Sequence, residues 1–339
     1  MIYTKLRFLF LTKKQGLFLL VKVTQPLFSL RILILLASLV GCSSTPIKKN
    51  QYSPEASTFA LNTGRYGHAV VNNGSHIFVI GGSGSRGLLS NIEIISLQTG
   101  AIEEINDTLI PRHYHTAVWD GKDSIYIMGG MSTVTNKNTR MFNRESRIEV
   151  FDIPTHQTKI IDKMPVPRGF GSAQYYNGQI FFMGGSFKKS VTSTLSVYNI
   201  KQDKWKLTTN IPQAKETKTI QNGQYLYTVG GYDGKFSVTA LKGYDTTTGK
   251  WQSFAALPQQ ISANSVVVFD DKNFSFGDYT KLKNSLTYNF KTEAWQQAKI
   301  RYLSSRHIAA SVLNKKMYVI EGNIDGSGSH LNTTQVLGL

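Results

Sequence analysis

The sequence of 339 residues predicts an all-β fold, a six-bladed β-propeller with four antiparallel strands in each blade. A pattern that begins at Arg65 recurs six times, at a spacing of roughly 45 to 56 residues. Each full copy consists of two β runs around a tight turn, a glycine pair and two further β runs. After residue 41 the apolar residues show no helical period. One such unit cannot bury its apolar face alone, so the copies are expected to pack around an axis.

The third copy shows the four strands most clearly. Its first two runs, Gly171–Tyr176 and Gln179–Met183, are joined by Asn177-Gly178. Asn-Gly favours a type I′ hairpin turn, because both central residues of that turn have positive φ. The third run is Leu195–Ile200, and the fourth opens at Trp205. The other copies repeat this order and predict one antiparallel sheet each.

Glycine pairs end the second strand of four copies, at Gly81-Gly82, Gly129-Gly130, Gly184-Gly185 and Gly230-Gly231. The last two copies have Gly277-Asp278 and Glu321-Gly322 instead. Asp278 and Glu321 replace a residue that permits unusual backbone angles, so one interpretation is a drifted repeat. The other makes them the candidate catalytic residues, carboxylates that grip a polar ligand or perform acid–base chemistry on it.

The two ends of the repeat region predict how the ring closes. The last copy has only three β runs, at Ile308–Leu313, Met317–Ile320 and Thr334–Leu337. The missing outer strand is available at Ser57–Leu61, just before the first copy. Pairing of these segments would remove the exposed edges of an open sheet. The propeller is therefore predicted to span residues 57–339.

The first 41 residues predict a secretory signal peptide. They contain six basic residues and no acidic ones, and the apolar run after Arg31 ends in small residues. That run is shorter than the roughly 20 apolar residues of a membrane-spanning helix. Residues 1–20 exceed what such a signal needs, which is consistent with a translation start further along the chain.

Leu39-Val40-Gly41-Cys42 resembles the signal box of bacterial lipoproteins. The resemblance implies a lipid on Cys42 and, because Ser43 rather than Asp follows, sorting to the outer membrane facing the periplasm. The alternative is an ordinary free or buried thiol, which is an odd leftover in an exported protein. Residues 42–56 are polar, which is typical of a flexible tether.

The net charge favours anionic partners. The chain has 38 basic and 21 acidic residues, and without the six basic residues of the leader the net charge is +11. The basic residues are scattered, and an exported protein meets little nucleic acid, so no nucleic-acid partner is expected. An anionic envelope surface or glycan is the expected partner class.

The glycine pairs after aromatic β runs, the Tyr198-Asn199 and Tyr244-Asp245 pairs, and a Trp six to eight residues later resemble kelch repeats. The resemblance covers about 280 residues and is strongest in the first four copies. It implies a kelch-type propeller and a binding habit, without implying a reaction.

Loops at one end of a propeller usually form its binding site. The ligand-binding candidates there are Arg112, His113, Arg168, Lys215, Glu216, Arg306 and His307. Arg65, His68 and His115 belong to the same loops. Because the Arg and His residues that open kelch units often bond neighbouring blades, a structural role is the alternative for Arg65, His68, Arg112 and His115.

Three other kinds of site are rejected. Gly82–Gly87 matches the glycine spacing of dinucleotide-binding loops, but a β run rather than a helix follows it. His113 and His115 lack a third metal ligand at a suitable spacing. Copper-radical oxidases built on kelch propellers need a cysteine in the propeller, and Cys42 is the only cysteine. No cofactor and no metal are therefore expected.

Three functions are weighed. The first is a lipid-anchored, monomeric binding module that recognises an envelope protein or glycan through its loop face and is not an enzyme. The alternative is a carbohydrate-active enzyme that resembles N-acetylneuraminate epimerase, since carboxylates beside Arg residues suit that mutarotase chemistry. The third is a structural scaffold within an envelope assembly.

Overall fold

The structure is a computed structural model that describes residues 57–136, 139–298, 300, 302–325 and 329–338. The predicted signal peptide (residues 1–41), Cys42 and the predicted tether (residues 42–56) lie outside the described residues. The described part of the chain consists of strands and the turns between them, without a helix. It therefore contains no helix of the length and apolar character that crossing a membrane requires.

Thirty strands follow one another along the described residues. The first seven are β1 Ser57–Ala60, β2 Ala69–Asn72, β3 His76–Ile80, β4 Ser83–Gly84, β5 Gly87–Leu88, β6 Ile92–Ser96 and β7 Ile102–Ile105. The next six are β8 Thr116–Trp119, β9 Ser124–Met128, β10 Met131–Asn136, β11 Thr139–Arg144, β12 Arg147–Asp152 and β13 Gln157–Lys163.

Ten further strands lie in the middle of the chain. The first six are β14 Ser172–Tyr176, β15 Gln179–Met183, β16 Ser186–Phe187, β17 Ser190–Val191, β18 Leu195–Asn199 and β19 Lys204–Leu207. They are followed by β20 Glu216–Asn222, β21 Tyr225–Tyr232, β22 Leu241–Asp245 and β23 Lys250–Ser253. The last strands are β24 Ser265–Phe269, β25 Lys272–Phe276, β26 Ser285–Asn289, β27 Ala294–Gln297, β28 Ala309–Leu313, β29 Lys316–Ile320 and β30 Thr333–Gly338.

Six four-stranded antiparallel sheets form the blades and confirm the predicted six-bladed β-propeller. In order from the axis outwards, blade one is β2-β3-β6-β7, blade two β8-β9-β12-β13 and blade three β14-β15-β18-β19. Blade four is β20-β21-β22-β23, blade five β24-β25-β26-β27 and blade six β28-β29-β30-β1. Each blade thus begins at its innermost strand.

The ring closes by pairing the N-terminal strand with the last one, as the sequence predicts. Strand β1 runs antiparallel to β30, with Ser57 opposite Val336 and Ala60 opposite Thr333. The strand ends one residue before the predicted Leu61, which is itself buried in the core. Closure joins the outermost strand of blade six to the rest of its sheet, so the first and last segments stabilise each other.

The core is divided into six apolar clusters, one between each pair of neighbouring blades. Between blades two and three, for example, Met128 and Ile148 pack with Phe182 and Tyr198. Strands of this kind are buried on both faces, because each sheet is covered by a neighbour on either side. The repeated unit therefore becomes stable only within the ring.

The glycine pairs are required where a blade meets its neighbours. Gly130 has a φ of +90°, and a Cβ there would lie 2.7 Å from the carbonyl oxygen of His113. Gly129 has a φ of +68°, and a Cβ there would lie 2.5 Å from the carbonyl oxygen of Arg168 in the next blade. Both positions need a residue without a side chain.

Short ribbons follow several glycine pairs and were not predicted. The strand pairs β4-β5 and β16-β17 have two residues in each strand. The pair β10-β11 in blade two is longer, with six residues in each strand. The Gly82–Gly87 stretch that imitates a dinucleotide-binding loop belongs to the β4-β5 ribbon. These ribbons extend the propeller at the end where the binding site was expected.

Candidate functional site

One end of the central channel is formed by the loops that precede each first strand and follow each second strand, and we call this end the loop face. A cavity of about 630 Å³ lies there, with walls contributed by all six blades. Among the predicted ligand-binding residues, Glu216 and His307 line it. His68 and His115, for which a structural role was weighed, line it as well.

Just before each first strand, one residue lies beside the glycine pair of the preceding blade or, after the last two copies, beside the residues that replace that pair. We call this place the opening position, and its occupants are Arg65, Arg112, Arg168, Lys215, Ile261 and Ser305. The sequence analysis placed Arg112, Arg168 and Lys215 among the ligand-binding residues at one end of the propeller, and the structure corrects this. Their side chains are at most 1% exposed and lie inside the blades.

In blades one and two the opening arginine is paired with a glutamate. Arg65 forms a buried ion pair with Glu93, and its Nη1 donates to the carbonyl oxygen of Gly81 at 2.9 Å. Arg112 repeats this arrangement with Glu149 and with the carbonyl oxygen of Gly129 at 3.1 Å. A buried charge with a matched partner and further hydrogen bonds holds a blade together.

In blades three and four the opening cation has no carboxylate partner among the described residues. Arg168 donates to Ser196 Oγ at 2.8 Å and stacks on the Phe182 ring at 4.5 Å. Burial lowers the pKa of Arg168 to about 9. Lys215 donates to the carbonyl oxygen of Ala240 at 3.5 Å, and burial lowers its pKa to about 7.

The partner changes with the opening residue around the ring. The partner position lies on the third strand, opposite Val79, Ile127, Phe182, Thr228, Ser275 and Val319 of the second strands. Its occupants in blades one to six are Glu93, Glu149, Ser196, Lys242, Leu286 and Gln335. Blade five thus combines Ile261 with Leu286 and carries no charge at either position. Among the described residues, a buried Arg–Glu pair at these two positions occurs in blades one and two only.

In blade six the sequence register was misread by one residue. Arg306 pairs with Asn323 as Tyr66 pairs with Ser83, so Ser305 occupies the opening position. The Arg306 side chain is partly exposed on the loop face, where it stacks on Tyr279 at 4.4 Å. His307 turns towards the cavity, and burial lowers its pKa to about 3.

The two remaining ligand-binding candidates occupy different environments. His113 is buried beneath the Phe142 ring, whose centroid is 5.4 Å from its own, and burial lowers the pKa of His113 to about 4. Glu216 lines the cavity, and burial raises its pKa to about 7 against the opposing effects of Ser186 and Arg144. Glu216 is therefore the carboxyl group that a ligand in the cavity would meet.

Neither candidate catalytic residue lines the cavity. The Asp278 carboxylate accepts hydrogen bonds from the backbone amides of Ser262, Thr280 and Lys281 at 2.9 to 3.1 Å, which lowers its pKa. Glu321 is 2% exposed and accepts a hydrogen bond from Gln335 at 3.0 Å. Burial raises the pKa of Glu321 to about 7. Asp278 thus organises its loop, and Glu321 lies within blade six.

A circle of backbone hydrogen bonds surrounds the channel two residues after each opening position. We call its members the backbone ring, and they are Gly67, Tyr114, Phe170, Thr217, Ala263 and His307. The donors run from each blade to the preceding one, for example from Tyr114 N to Gly67 O at 2.6 Å and from Phe170 N to Tyr114 O at 2.9 Å. All members except Thr217 have positive φ, which is uncommon for residues with side chains.

The backbone ring is open at one place. Five of its six links are present among the described residues, and the link between Ala263 in blade five and Thr217 in blade four is missing. In blade four the first strand already begins at Glu216, with an irregular register between Glu216 and Lys218. The cavity extends to this opening and is lined there by Tyr232, Phe236 and Ser262.

Below the backbone ring, the next residue of every blade lines the bottom of the cavity. We call this set the floor ring, and it consists of His68, His115, Gly171, Lys218, Asn264 and Ile308. Both ring nitrogens of His68 and of His115 are buried without a hydrogen-bond partner among the described residues. The floor is therefore largely polar, and the N–H groups of His68 and His115 are not used within the described fold.

The rim carries cations beside aromatic rings. Four such pairs lie on the loop face: Arg144 with Phe170, Lys188 with Phe187, Lys235 with Phe236, and Arg306 with Tyr279. The rings of Phe142 (59% exposed), Phe236 (57%) and Tyr279 (51%) face solvent. Exposed apolar groups that cluster around a cavity are typical of an interaction site.

Sequence reasoning did not identify Lys218, Tyr114 or the aromatic rim. A usable signal was present, because Lys218 follows Lys215 at the spacing at which His68 follows Arg65. The rim residues lie in loops that differ from copy to copy, so the repeat gave no guide to them. The described residues contain no group of three or more side chains arranged to hold a metal ion.

The fold and the site define a β-propeller with a cavity on its loop face. Residues 67–278 match the protein-family model described as the KLHDC2/KLHL20/DRC7 Kelch-repeats domain, which covers well over half of the chain. The chain therefore belongs to the kelch-repeat family, whose propellers are typically protein-interaction scaffolds. The match ends at Asp278, in the copy where the glycine pair is first broken.

Relatives and a solved structure agree with this family. The chain is 28% identical to Kelch-like protein terF of Aspergillus terreus over 69% of its own length and 54% of that protein. It is 23% identical to Kelch-like protein 40 of Xenopus tropicalis over 58% of its length and 34% of that protein. The chain thus spans about half or less of these relatives. The structure of YjhT superposes with a TM-score of 0.68 at 12% identity, covering 81% of this chain and 95% of that one.

Proposed function

We propose that this propeller is a binding module that grips an acidic partner protein across its loop face, with a protruding segment of the partner entering the cavity. The observation that carries the proposal is the rim of cations and aromatic rings around that cavity. Aromatic and Arg side chains dominate the energetics of protein interfaces. The excess of basic residues adds an attraction that steers an acidic partner towards the protein.

An acidic glycan is the second candidate partner. The cavity of about 630 Å³ falls within the range of small-ligand sites, roughly 300 to 1,000 Å³. Exposed rings such as Tyr279 and Phe236 offer flat apolar faces, and the neighbouring Arg306 and Lys235 offer charge to a sugar carboxylate. A glycan would therefore use the same rim as a protein.

The alternative of a sugar epimerase that resembles N-acetylneuraminate epimerase has less support. Its two candidate catalytic carboxylates, Asp278 and Glu321, do not line the cavity. The activity is tested by following the mutarotation of N-acetylneuraminate by NMR, with Glu321→Gln as the comparison. A rate equal to that in buffer alone would remove this alternative.

We further propose that Cys42 carries a lipid that anchors the protein to the outer membrane, facing the periplasm, with residues 42–56 as a tether. The proposal rests on the Leu39–Cys42 box after an apolar run. Radioactive palmitate supplied to cells expressing the full chain should label the wild type and not Cys42→Ala. Equal labelling of both proteins would contradict lipidation at this residue.

Binding by the loop face is tested with matched surface variants of the full chain. Phe236 on the loop face and Leu207 on the outermost strand of blade three are 57% and 56% exposed. Affinity capture from solubilised envelopes should recover a partner with the wild type and with Leu207→Ser, but not with Phe236→Ser. Likewise Lys235→Glu should abolish capture, whereas Lys204→Glu on the same outer strand should not. Equal recovery with all four variants would contradict the proposal, and a partner that resists every loop-face change would favour a structural scaffold.

A further inference from the structure

The floor ring contains a cation that the fold leaves without a counter-charge. Lys218 points from blade four into the channel, and burial lowers the pKa of its amine with no carboxylate acting in the opposite direction. This distinguishes it from Arg65 and Arg112, each of which has a buried glutamate. Lys218 is partly exposed to the cavity, but its amine is desolvated and has no counter-charge. Such a charge is costly, and an anionic ligand in the cavity would offset the cost.

Unused hydrogen-bond donors surround this amine. The charge of Lys218 acts on His68, His115 and His307, which come from blades one, two and six. Burial lowers the pKa of these imidazoles, so they are neutral near pH 7 and each has one N–H to donate. The rings of His68 and His115 are 2% and 3% exposed, and none of their nitrogens has a partner among the described residues.

The other members of the floor ring leave space rather than compete. Gly171 has no side chain, and Ile308 is apolar. The Asn264 amide already donates to Ser275 Oγ at 2.9 Å. The only carboxyl group among the described residues that line the cavity is Glu216, which follows the opening position directly and stands above the floor ring. Charge and donors therefore converge at the bottom of the cavity.

We propose that the floor ring is an oxyanion-binding subsite, in which Lys218 Nζ supplies the charge and His68 and His115 donate N–H groups to the anion. The ligand class is a carboxylate, phosphate or sulfate group small enough to pass the backbone ring. The residues are different from those proposed to bind a partner at the rim. The subsite can therefore be tested in the absence of a partner protein.

The decisive test compares anion binding by the full chain with and without the Lys218 amine. Isothermal titration with inorganic phosphate and with acetate should show one site in the wild type. In Lys218→Met the affinity should fall by about 10- to 100-fold, as expected for a lost charge-assisted hydrogen bond. The matched control is Lys204→Met, which removes a cation from the outermost strand of blade three, away from the cavity, and should leave the affinity unchanged. Equal binding by wild type and Lys218→Met, or no binding to either protein, would overturn the proposal.

A second readout keeps the test informative if one substitution disturbs the fold. Removing a desolvated cation that has no counter-charge should raise the Tm of Lys218→Met in anion-free buffer, and phosphate should raise the Tm of the wild type alone. His68→Gln, which retains a donor of similar size, should keep part of the affinity. A Tm increase by phosphate that is the same in wild type and Lys218→Met would place the anion elsewhere and contradict the subsite.

Two carboxylates are used to distinguish the two possible sources of the anion, an acidic sugar and a bound protein. Glucuronate represents an acidic sugar, and N-acetyl-aspartyl amide represents a side chain of a bound protein. Whichever binds more tightly identifies the source, provided that Lys218→Met weakens it, and failure of both overturns the proposal. Phe236→Ser separates this result from the proposed function, because it should abolish partner capture while retaining phosphate binding.

Discussion

Blades one and two differ from blades four and five in what they do with the same positions. In the first two blades a buried Arg–Glu pair closes each sheet onto its glycine pair, and the backbone ring is continuous. Blade four has two lysines at the equivalent positions, blade five has Ile261 and Leu286, and the backbone ring is open between them. The cavity extends to that opening.

The difference shows that the repeat serves two purposes. Where the pattern is intact, the opening arginine and its glutamate satisfy each other within the blade. Where it is relaxed, Lys215 has no carboxylate partner among the described residues, and Lys218 faces the cavity without a counter-charge. The following predictions test this division, beginning with the largest effect.

Removing the glutamate of an intact pair should be the most damaging change. Glu93→Ala leaves the Arg65 guanidinium buried without its carboxylate partner, and we expect a loss of about 3 to 5 kcal/mol in the free energy of unfolding. Ser196→Ala in blade three removes only a neutral acceptor of Arg168 and should cost about 1 to 3 kcal/mol. Urea denaturation measures both variants. Equal losses would show that the charge pairs do not distinguish the first two blades.

The glycine pair should be needed for its close approach as well as for its backbone angle. Gly130 and Gly74 have φ values of +90° and +91°, but a Cβ at Gly74 would meet no atom within 4 Å. Gly130→Ala should cost about 2 to 4 kcal/mol, because strain and overpacking add. Gly74→Ala should cost about 1 kcal/mol from strain alone. A thermal unfolding series decides, and similar Tm losses would remove the argument from close approach.

Lys215, the buried cation of blade four that has no carboxylate partner, should make the stability of the protein depend on pH. The folded-state pKa of Lys215 is about 7 against 10.5 for an unperturbed lysine, so the unfolded chain binds more protons between these values. The stability of the wild type should therefore rise with pH in this window, by at most about 1.4 kcal/mol per unit. Lys215→Met should be more stable than the wild type below pH 7, and this advantage should shrink as the pH rises. An advantage that does not change with pH would contradict the burial of a charge.

Most of the fold could be predicted because its signals are local. Asn177-Gly178 adopts positive φ at both residues, as its hairpin turn requires, and the missing strand of blade six is supplied by Ser57–Ala60. The β10-β11 hairpin was missed, because it lies in a loop where the copies do not resemble one another. The turn residues and the period of the repeat together predict the strands of the blades, but they do not predict the additional ribbons.

The site was predicted less well, because burial decides which polar residues are available. Arg112, Arg168 and Lys215 precede the first strand as expected, yet their side chains turn into the blades. Arg306 is accessible only because Ser305 occupies the opening position in its copy. A charged residue in a repeat therefore does not predict a binding site until the structure shows whether its side chain enters the blade or faces the cavity.

Site-specific photo-crosslinking tests most directly the central claim that the loop face is the binding surface. The photoreactive amino acid p-benzoylphenylalanine is introduced in place of Phe236 or Leu207, two side chains of nearly equal exposure on different surfaces, 57% and 56%. After irradiation of cells expressing the full chain, the protein labelled at position 236 should form a covalent adduct with its partner, and the protein labelled at position 207 should not. An adduct formed only from position 207 would contradict the account.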